Sequence, residues 1–432
     1  MTRDAGQAQI SDAQRTPSGT RVRERISGIS RRTAAQLLRE CDMTHHVDLH
    51  TFGVTAERGF LPIADPATEI PSANPEWHRT ARDLPALLPS GKIRAIIEAL
   101  PEFRSEALSS EEDLEAAMRT LSYLGMAYVW GEPESPSALP ARLAVPWHQI
   151  AAALGREPIL SYASYALWNW RRLDERGPIA LGNIALLQHF LGGLDEAWFI
   201  LIHVDIERRA GAALAAGARA QAAISDGNDA EATIALNDLG DSLDGILGTM
   251  KRMPEACDPY VYYHRVRPYI FGWRDNPALP GGLVYEGVTA YAGKGQTFRG
   301  ETGAQSTIVP CLDAVLGVDH APDQLREYLM EMRRYMPRKH VGLLEAFEAG
   351  PTAASRIAAL GAAAPKELAA ARNRCVETLR AFRALHLEYA ATYINRQAAD
   401  ATGNPTDVGT GGTPFMKYLK KHRDETEASL TK

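Results

Sequence analysis

Apolar residues recur at spacings of three and four along most of the chain after residue 90, and runs alternating every second residue are scarce. That period predicts helices, because positions three and four apart share a helix face. LPSGKIRAIIEALPEF (88–103) reads as a short helix between a Ser-Gly start and a proline stop. In SSEEDLEAAMRTLSYLGMAYVWG (109–131), Ser110 is the N-cap, and acidic residues fill the first turn, where the helix dipole favours them. Leu114, Met118, Leu121, Leu124 and Tyr128 form its apolar stripe. ESPSALPARLAVP (134–146), rich in proline and serine, reads as a connecting loop and a soft boundary. Helical pattern resumes at PWHQIAAALG (146–155), ILSYASYALWNWRRLD (159–174), a very long stretch over 195–224, and 229–253. The segment 257–287, with four prolines, breaks the rhythm; a helix starts it, and Pro268 is expected to turn the chain out at Arg267. Helices return over 302–317, 322–336, 338–350 and 365–394, then a loop (395–414) leads to a last short helix (415–430). No fixed-period repeat is visible, which argues against a solenoid. The prediction is an all-α fold, with a large helical domain over 141–432, a smaller N-terminal lobe over 31–140 and a polar, arginine-rich disordered tail over 1–30.

Composition narrows the function classes. Hydrophobic residues make up 45% and charged residues 23% of the 432, as expected of ordinary globular structure. A net charge of −6 provides no electrostatic case for nucleic acid or a membrane surface. No apolar run approaches the roughly 20 residues that span a bilayer, and the N-terminus has no apolar core of a secretory signal. The four cysteines, Cys41, Cys257, Cys311 and Cys375, are scattered, without CxxC or CxxCH spacing, which suits a reducing cytoplasm.

Most candidate motifs carry little. VGTGGTPF (408–415) is glycine-rich but no GxxxxGK[ST] is present, which leaves a flexible loop or a lid approaching a ligand. GxSxG and HExxH are absent, and THHVDLH (44–50) has no second cluster at ligand spacing, so a surface loop is expected there. More informative are two imidazoles inside apolar helix stripes. In RALHLEYAATYINR (383–396), His386 shares a face with Leu379, Phe382, Tyr389, Ala390 and Tyr393; in WFILIHVDIE (198–207), His203 shares one with Phe199, Ile206 and Ala210. A buried imidazole needs a partner, whether a carbonyl, a side chain or a ligand. Two such helices could set imidazoles on opposite sides of a flat apolar cofactor; haem meets that description, and two ordinary core histidines remain the alternative. Arg267, among Tyr262, Tyr263, Tyr269 and Phe271, is the type of residue that clamps a carboxylate in a partly dry pocket, or that stacks on a tyrosine at the surface.

Several longer stretches occur together and in one order: LAVPWHQIAAALGREPILSYASYALWNW, FGWRDNPALPGGLVYEGV, FRGETGAQSTIVPCLDAVLG, MRRYMPRKHVGLLEAF, RALHLEYAATYI and GTGGTPFMKYL. In this the chain resembles the indoleamine 2,3-dioxygenases over roughly residues 90 to 425, with weaker similarity, including RGFLPIADP (58–66), in the N-terminal lobe. The resemblance implies a haem b enzyme that uses O2 to open the indole ring of L-tryptophan or a related indole to N-formylkynurenine, with an electron donor to reach ferrous iron. It implies His386 as the proximal iron ligand, Arg267 as the carboxylate clamp, and Tyr162, Tyr165, Phe199 and Tyr262 as substrate-pocket residues. It further implies Thr302 and Gly303 beside the haem edge, Arg383 and Asp313 near a propionate, and Thr410, with Gly411 and Gly412, on a loop closing over substrate. Four positions depart from the vertebrate pattern: His203 where serine stands, Tyr262 for phenylalanine, Tyr165 for a smaller residue, and Glu301 in a loop otherwise of glycine and serine. They leave open a haem-dependent oxygenase acting on a substituted tryptophan, inserting one oxygen or two. A non-catalytic haem or ligand sensor is the alternative of another class. His203 is a candidate partner for the indole N–H or bound oxygen.

Overall fold

Alanine and leucine at helical spacing do fold into helices, and their small side chains let three long ones pack closely around a cavity. The computed structural model describes residues 45–71, 73–400 and 409–431, the side chains of 398–400 apart. The expected tail over 1–30, the first part of the lobe with Cys41, and residues 401–408 of the late loop lie outside the described residues. The described residues belong to one compact unit, His45–Lys432. Its helices of six residues or more are α1 (Pro75–Arg82), α2 (Ile93–Glu98), α3 (Glu111–Trp130), α4 (Ala141–Leu154), α5 (Leu194–Ser225) and α6 (Asp229–Met250). After an irregular stretch come α7 (Ile308–Leu316), α8 (Gln324–Met332), α9 (Arg338–Ala349), α10 (Ala353–Leu360), α11 (Lys366–Tyr393) and α12 (Phe415–Ala428). The fold is all-α in class, with five short strands as trim among the described residues. Strand β1 (Ala138–Leu139) runs parallel to β4 (Leu283–Tyr285), which pairs antiparallel with β5 (Gly295–Gln296); β2 (Trp170–Arg172) and β3 (Ile184–Leu186) form a hairpin.

Helix α5, 32 residues long, spans about 48 Å at 1.5 Å per residue and packs along α6, which in turn packs on α11. Asp195 and Glu196 occupy the positive end of α5, and Glu196 accepts the Phe190 and Gly192 N–H groups, both at 2.6 Å. Ser110 caps α3 as expected, in a reciprocal capping box with Asp113. The RGFLPIADP segment lies against α5 through two glycines. A Cβ on Gly59 (φ +59°) would come within 2.0 Å of the Glu207 carbonyl oxygen, and one on Gly211 within 2.4 Å of the Ala56 carbonyl oxygen. Arg58 and Arg172 share the Asp65 carboxylate at 2.6 and 2.7 Å, which ties this segment to β2.

Three expectations need correction. The run 159–174 is not a helix: it makes one π turn (Ala163–Leu167) and then enters β2. Asn169 explains the exit, because its side chain exchanges hydrogen bonds with the Gln188 backbone (2.8 and 3.1 Å) and ties the chain to the segment just after β3. Helix α4 starts at Ala141, inside the expected loop, with Pro146 in its interior, where the missing N–H forgoes only the bond to the Arg142 carbonyl. The chain does not leave helical winding at Arg267: a π turn (Tyr262–Val266) passes into a 3-10 turn (Arg267–Ile270). Pro268 sits in the first turn of that segment, where no N–H is required.

Candidate active site

The apolar faces of α5, α6 and α11 enclose a cavity of about 310 Å³. Helix α11 contributes Leu379, Phe382, Arg383, His386 and Ala390 to the wall; α5 contributes Phe199, Ile202, His203 and Ile206. His386 has no hydrogen-bond partner among the described residues. Burial, with His203 as a second cause, pushes its imidazole down to about 4, so it is neutral at pH 7 with a free lone pair. His203 lines the same cavity, and a charge on it would be felt at His386.

On the α5 wall, the His203 Nδ1–H donates to the Phe199 carbonyl at 2.7 Å. Burial lowers its pKa and that bond offsets part of the effect, so the ring is neutral and Nε2 carries the lone pair. The Phe199 ring centroid lies 4.8 Å from His203 and 4.6 Å from Tyr262, and Tyr162 meets His203 edge-on at 5.9 Å. One turn beyond His203, Glu207 accepts the Ser306 hydroxyl at 2.7 Å, and burial pushes its carboxyl up to about 7.

The loop 299–305 closes a third side. Gln305 knits it in place by accepting the Tyr162 N–H (2.8 Å) and donating to the Gly300 carbonyl (2.9 Å). Gly272 and Gly300 let two backbones touch, since a Cβ on Gly272 would stand 2.1 Å from the Gly300 nitrogen. Glu301 is thereby held on the cavity wall: its N–H donates to Ile270 (3.2 Å) and its carbonyl accepts the Thr410 hydroxyl (2.5 Å). Glu301 is 5% exposed, and burial alone raises its carboxyl to about 8. Thr302, Gly303, Thr410 and Gly411 also line the cavity, and Arg299 donates to the Gly411 carbonyl at 2.6 Å.

At the polar edge, Arg383 donates to Asp313 at 2.6 Å and to Thr426. His320 donates to the same Asp313 carboxylate at 3.0 Å and to Glu425 at 2.7 Å. Burial opposes ionisation of Asp313, but Arg383 and His320 outweigh it and hold its pKa below the ordinary value. His422 also lines the cavity; its Nε2 is buried without a hydrogen-bond partner among the described residues, and burial pushes the ring down to about 3.

The structure therefore brings His386, His203, Phe199, Tyr162, Tyr262, Thr302, Gly303, Thr410, Arg383 and Asp313 to one cavity. Tyr165 and Arg267 are not on its wall. Tyr165 is buried 6.4 Å from the Phe199 ring centroid. Arg267 is fully buried, its guanidinium 4.4 Å from the Phe271 and 5.4 Å from the Tyr263 ring centroid; burial lowers its pKa to about 10, well above neutrality.

The indoleamine 2,3-dioxygenase family model matches residues 48–429, which takes in the whole cavity. The chain belongs to the indoleamine 2,3-dioxygenase family. It is 33% identical over 395 residues to the rat indoleamine 2,3-dioxygenase 1, covering 88% of this chain and 95% of the relative. It is 29% identical over 449 residues to the Saccharomyces cerevisiae indoleamine 2,3-dioxygenase (92% and 97% covered). A 6-hydroxytryptophan 2,3-dioxygenase of Fusarium equiseti is 29% identical over 402 residues (89% and 98% covered). Among the described residues, this family member has no helix long and apolar enough to cross a membrane. Sequence reasoning passed over Glu207, His422, His320 and Glu425. The spacing Phe199–His203–Glu207 carried a usable signal for the first; the others reach the site from distant segments and have none.

Proposed function

We propose that this member of the family is a haem-dependent dioxygenase that opens the indole ring of L-tryptophan or a related indole amino acid. The observation that carries the reading is that two neutral imidazoles, His203 of α5 and His386 of α11, line one mainly apolar cavity. The donor set fits haem: His386 has a lone pair with no partner, the walls are apolar, and Arg383 and His422 stand at one edge, where propionates need cations or hydrogen bonds. His386 would hold the iron, and Arg383, braced by Asp313, would face a propionate. Haem iron in its ferrous form supplies the redox chemistry that lets triplet O2 react with a closed-shell indole.

The chain's own residues orient the partner. Phe199 and Tyr262 present ring faces against which an indole packs flat. Arg267, whose guanidinium is buried against Phe271 and Tyr263, is the cation assigned to the substrate carboxylate. The His203 Nε2 lone pair accepts the indole N–H, because its other nitrogen is committed to the Phe199 carbonyl. The Thr410 hydroxyl on the Glu301 carbonyl draws the glycine loop across the cavity and limits water. The indole C2–C3 bond, held in place, is cleaved as both atoms of one O2 enter the product, N-formylkynurenine, so tryptophan plus O2 balances without a further reductant. A relative named for 6-hydroxytryptophan supports a pocket that tolerates ring substituents. Mass spectrometry of products from tryptophan and ¹⁸O2, with the protein reconstituted with haem and reduced, tests this. A product heavier by two labelled oxygens supports the reading; absence of any oxygenated indole product overturns it.

A further inference from the structure

Among the described residues the histidine-rich run THHVDLH builds no cluster of metal-binding size, and the one group of three potential ligands lies elsewhere. It consists of His320, His422 and Glu425, whose donor atoms all lie within 4.8 Å of one another. His320 follows α7, whereas His422 and Glu425 stand three apart on one face of α12. His320 is the hub: its Nε2 lies 3.0 Å from the Asp313 carboxylate, its Nδ1 lies 2.7 Å from Glu425, and its side chain is 5% exposed. Arg383 holds Asp313 in turn at 2.6 Å. The ring centroids of His320 and His422 are 4.7 Å apart, and the His422 Nε2 is buried with no hydrogen-bond partner among the described residues. A buried imidazole nitrogen left in that state is costly unless a ligand completes it.

We propose that His320, His422 and Glu425 bind a divalent cation of the zinc class, which fastens α12 to the segment after α7. Two imidazoles and a carboxylate are a donor set that suits Zn²⁺, and three protein ligands leave a fourth position to water. The outer partner is already in place: a ligating imidazole gives its second ring N–H to a carboxylate, as His320 Nε2 does to Asp313. The cation replaces the proton that His320 Nδ1 and Glu425 now share. Bonds of about 2.1 Å in a tetrahedron set donor atoms about 3.4 Å apart, so the His320–Glu425 pair, now at 2.7 Å, opens by about 0.7 Å. The widest gap in the group, at most 4.8 Å, closes by no more than about 1.4 Å. The His422 ring supplies that closure by turning, since no hydrogen bond among the described residues holds its Nε2. Lys421 sits on the other Glu425 oxygen at 2.8 Å, which leaves the oxygen facing His320 for the metal. Glu425 also borders an open groove between α8 and α12, a route for the cation from solvent. His422 lines the large cavity as well, and an imidazole that ligates through one nitrogen keeps the other for that edge. The site is built from side chains alone, so it stands whether or not the dioxygenase reading does. Because α12 follows directly on the glycine loop at the cavity wall, the metal would anchor the end of that loop.

The test is Zn²⁺ binding to the full-length, haem-reconstituted protein, freed of loose metal by dialysis against a chelator. Calorimetry reports affinity and stoichiometry, and X-ray absorption at the zinc edge, distinct from that of haem iron, reports the ligands. One Zn²⁺ per chain should bind with a Kd of about 1 μM or tighter, with two imidazoles and oxygen donors at about 2.0–2.2 Å. His422→Gln and Glu425→Gln should each weaken binding at least about tenfold while keeping the helical circular dichroism. His50→Gln, at an exposed position of the THHVDLH run, should leave affinity within about twofold of the wild type. Should His422→Gln fail to fold, Glu425→Gln and the wild-type absorption spectrum decide. Binding weaker than about 100 μM, a spectrum with fewer than two imidazoles, or wild-type affinity in either α12 variant overturns the site. Loss of binding in His50→Gln also overturns it, and assigns the metal to the surface run.

Discussion

Replacing Glu301 by glutamine should make the protein more stable, by an amount that depends on pH. In the unfolded chain this carboxyl titrates near 4.5; in the folded protein burial holds it to about 8. Below 4.5 both states bind the proton and the residue has no pH-linked effect. Between 4.5 and 8 the unfolded chain releases a proton that the folded chain retains, so folded stability falls as pH rises, by about 1.4 kcal/mol per pH unit. At pH 7 the cost is at most about 3 kcal/mol, rising to about 5 above pH 8. Glu301→Gln keeps the shape and removes the proton, so it recovers that cost. Glu196 and Glu207, both also raised to about 7 by burial, are common to the two proteins and cancel in the difference. Urea unfolding of both proteins at pH 5, 7 and 8.5 measures it. The gain in midpoint should be small at pH 5 and grow at each step. A difference that does not change with pH, or a variant less stable at pH 8.5, would refute the assignment of Glu301 as a buried, unpaired carboxyl. A gain would also mark Glu301 as a residue kept at the expense of stability, as functional groups often are.

His386→Ala should lose most haem while keeping helical circular dichroism; a Soret band surviving gel filtration undiminished would remove His386 as the iron ligand. Arg267→Gln forfeits a charged hydrogen bond worth about 1.5–3 kcal/mol and should raise the KM for tryptophan about 10- to 100-fold, and an unchanged KM would count against the clamp. Arg383→Leu leaves the buried Asp313 with His320 alone and should cost about 3–5 kcal/mol in urea unfolding; a loss under about 1 kcal/mol would show that Asp313 is satisfied without it.

The helical class, the long α5 and α11, the Ser110 cap and the two imidazole-bearing faces were legible in the sequence, because each is a local periodicity or a local cap. The order of long motifs made the family visible, and against it the departures at His203 and Glu301. Local pattern failed at 159–174, where Asn169 binds the Gln188 backbone nearly twenty residues on, and at Pro146, which the surrounding helix tolerates. That His203 and His386 line one cavity is a relation between residues more than 180 positions apart, and no spacing within either helix encodes it. The same holds for Asp313, where Arg383 and His320 meet one carboxylate from three segments. Glu301 shows the division most clearly. Its chemistry is evident from the sequence, but whether that acid is solvated and ordinary or dry, protonated and unpaired was decided by the backbones packed around Gly272 and Gly300. Burial sets the pKa of a carboxyl, and burial is a property of the assembled tertiary structure.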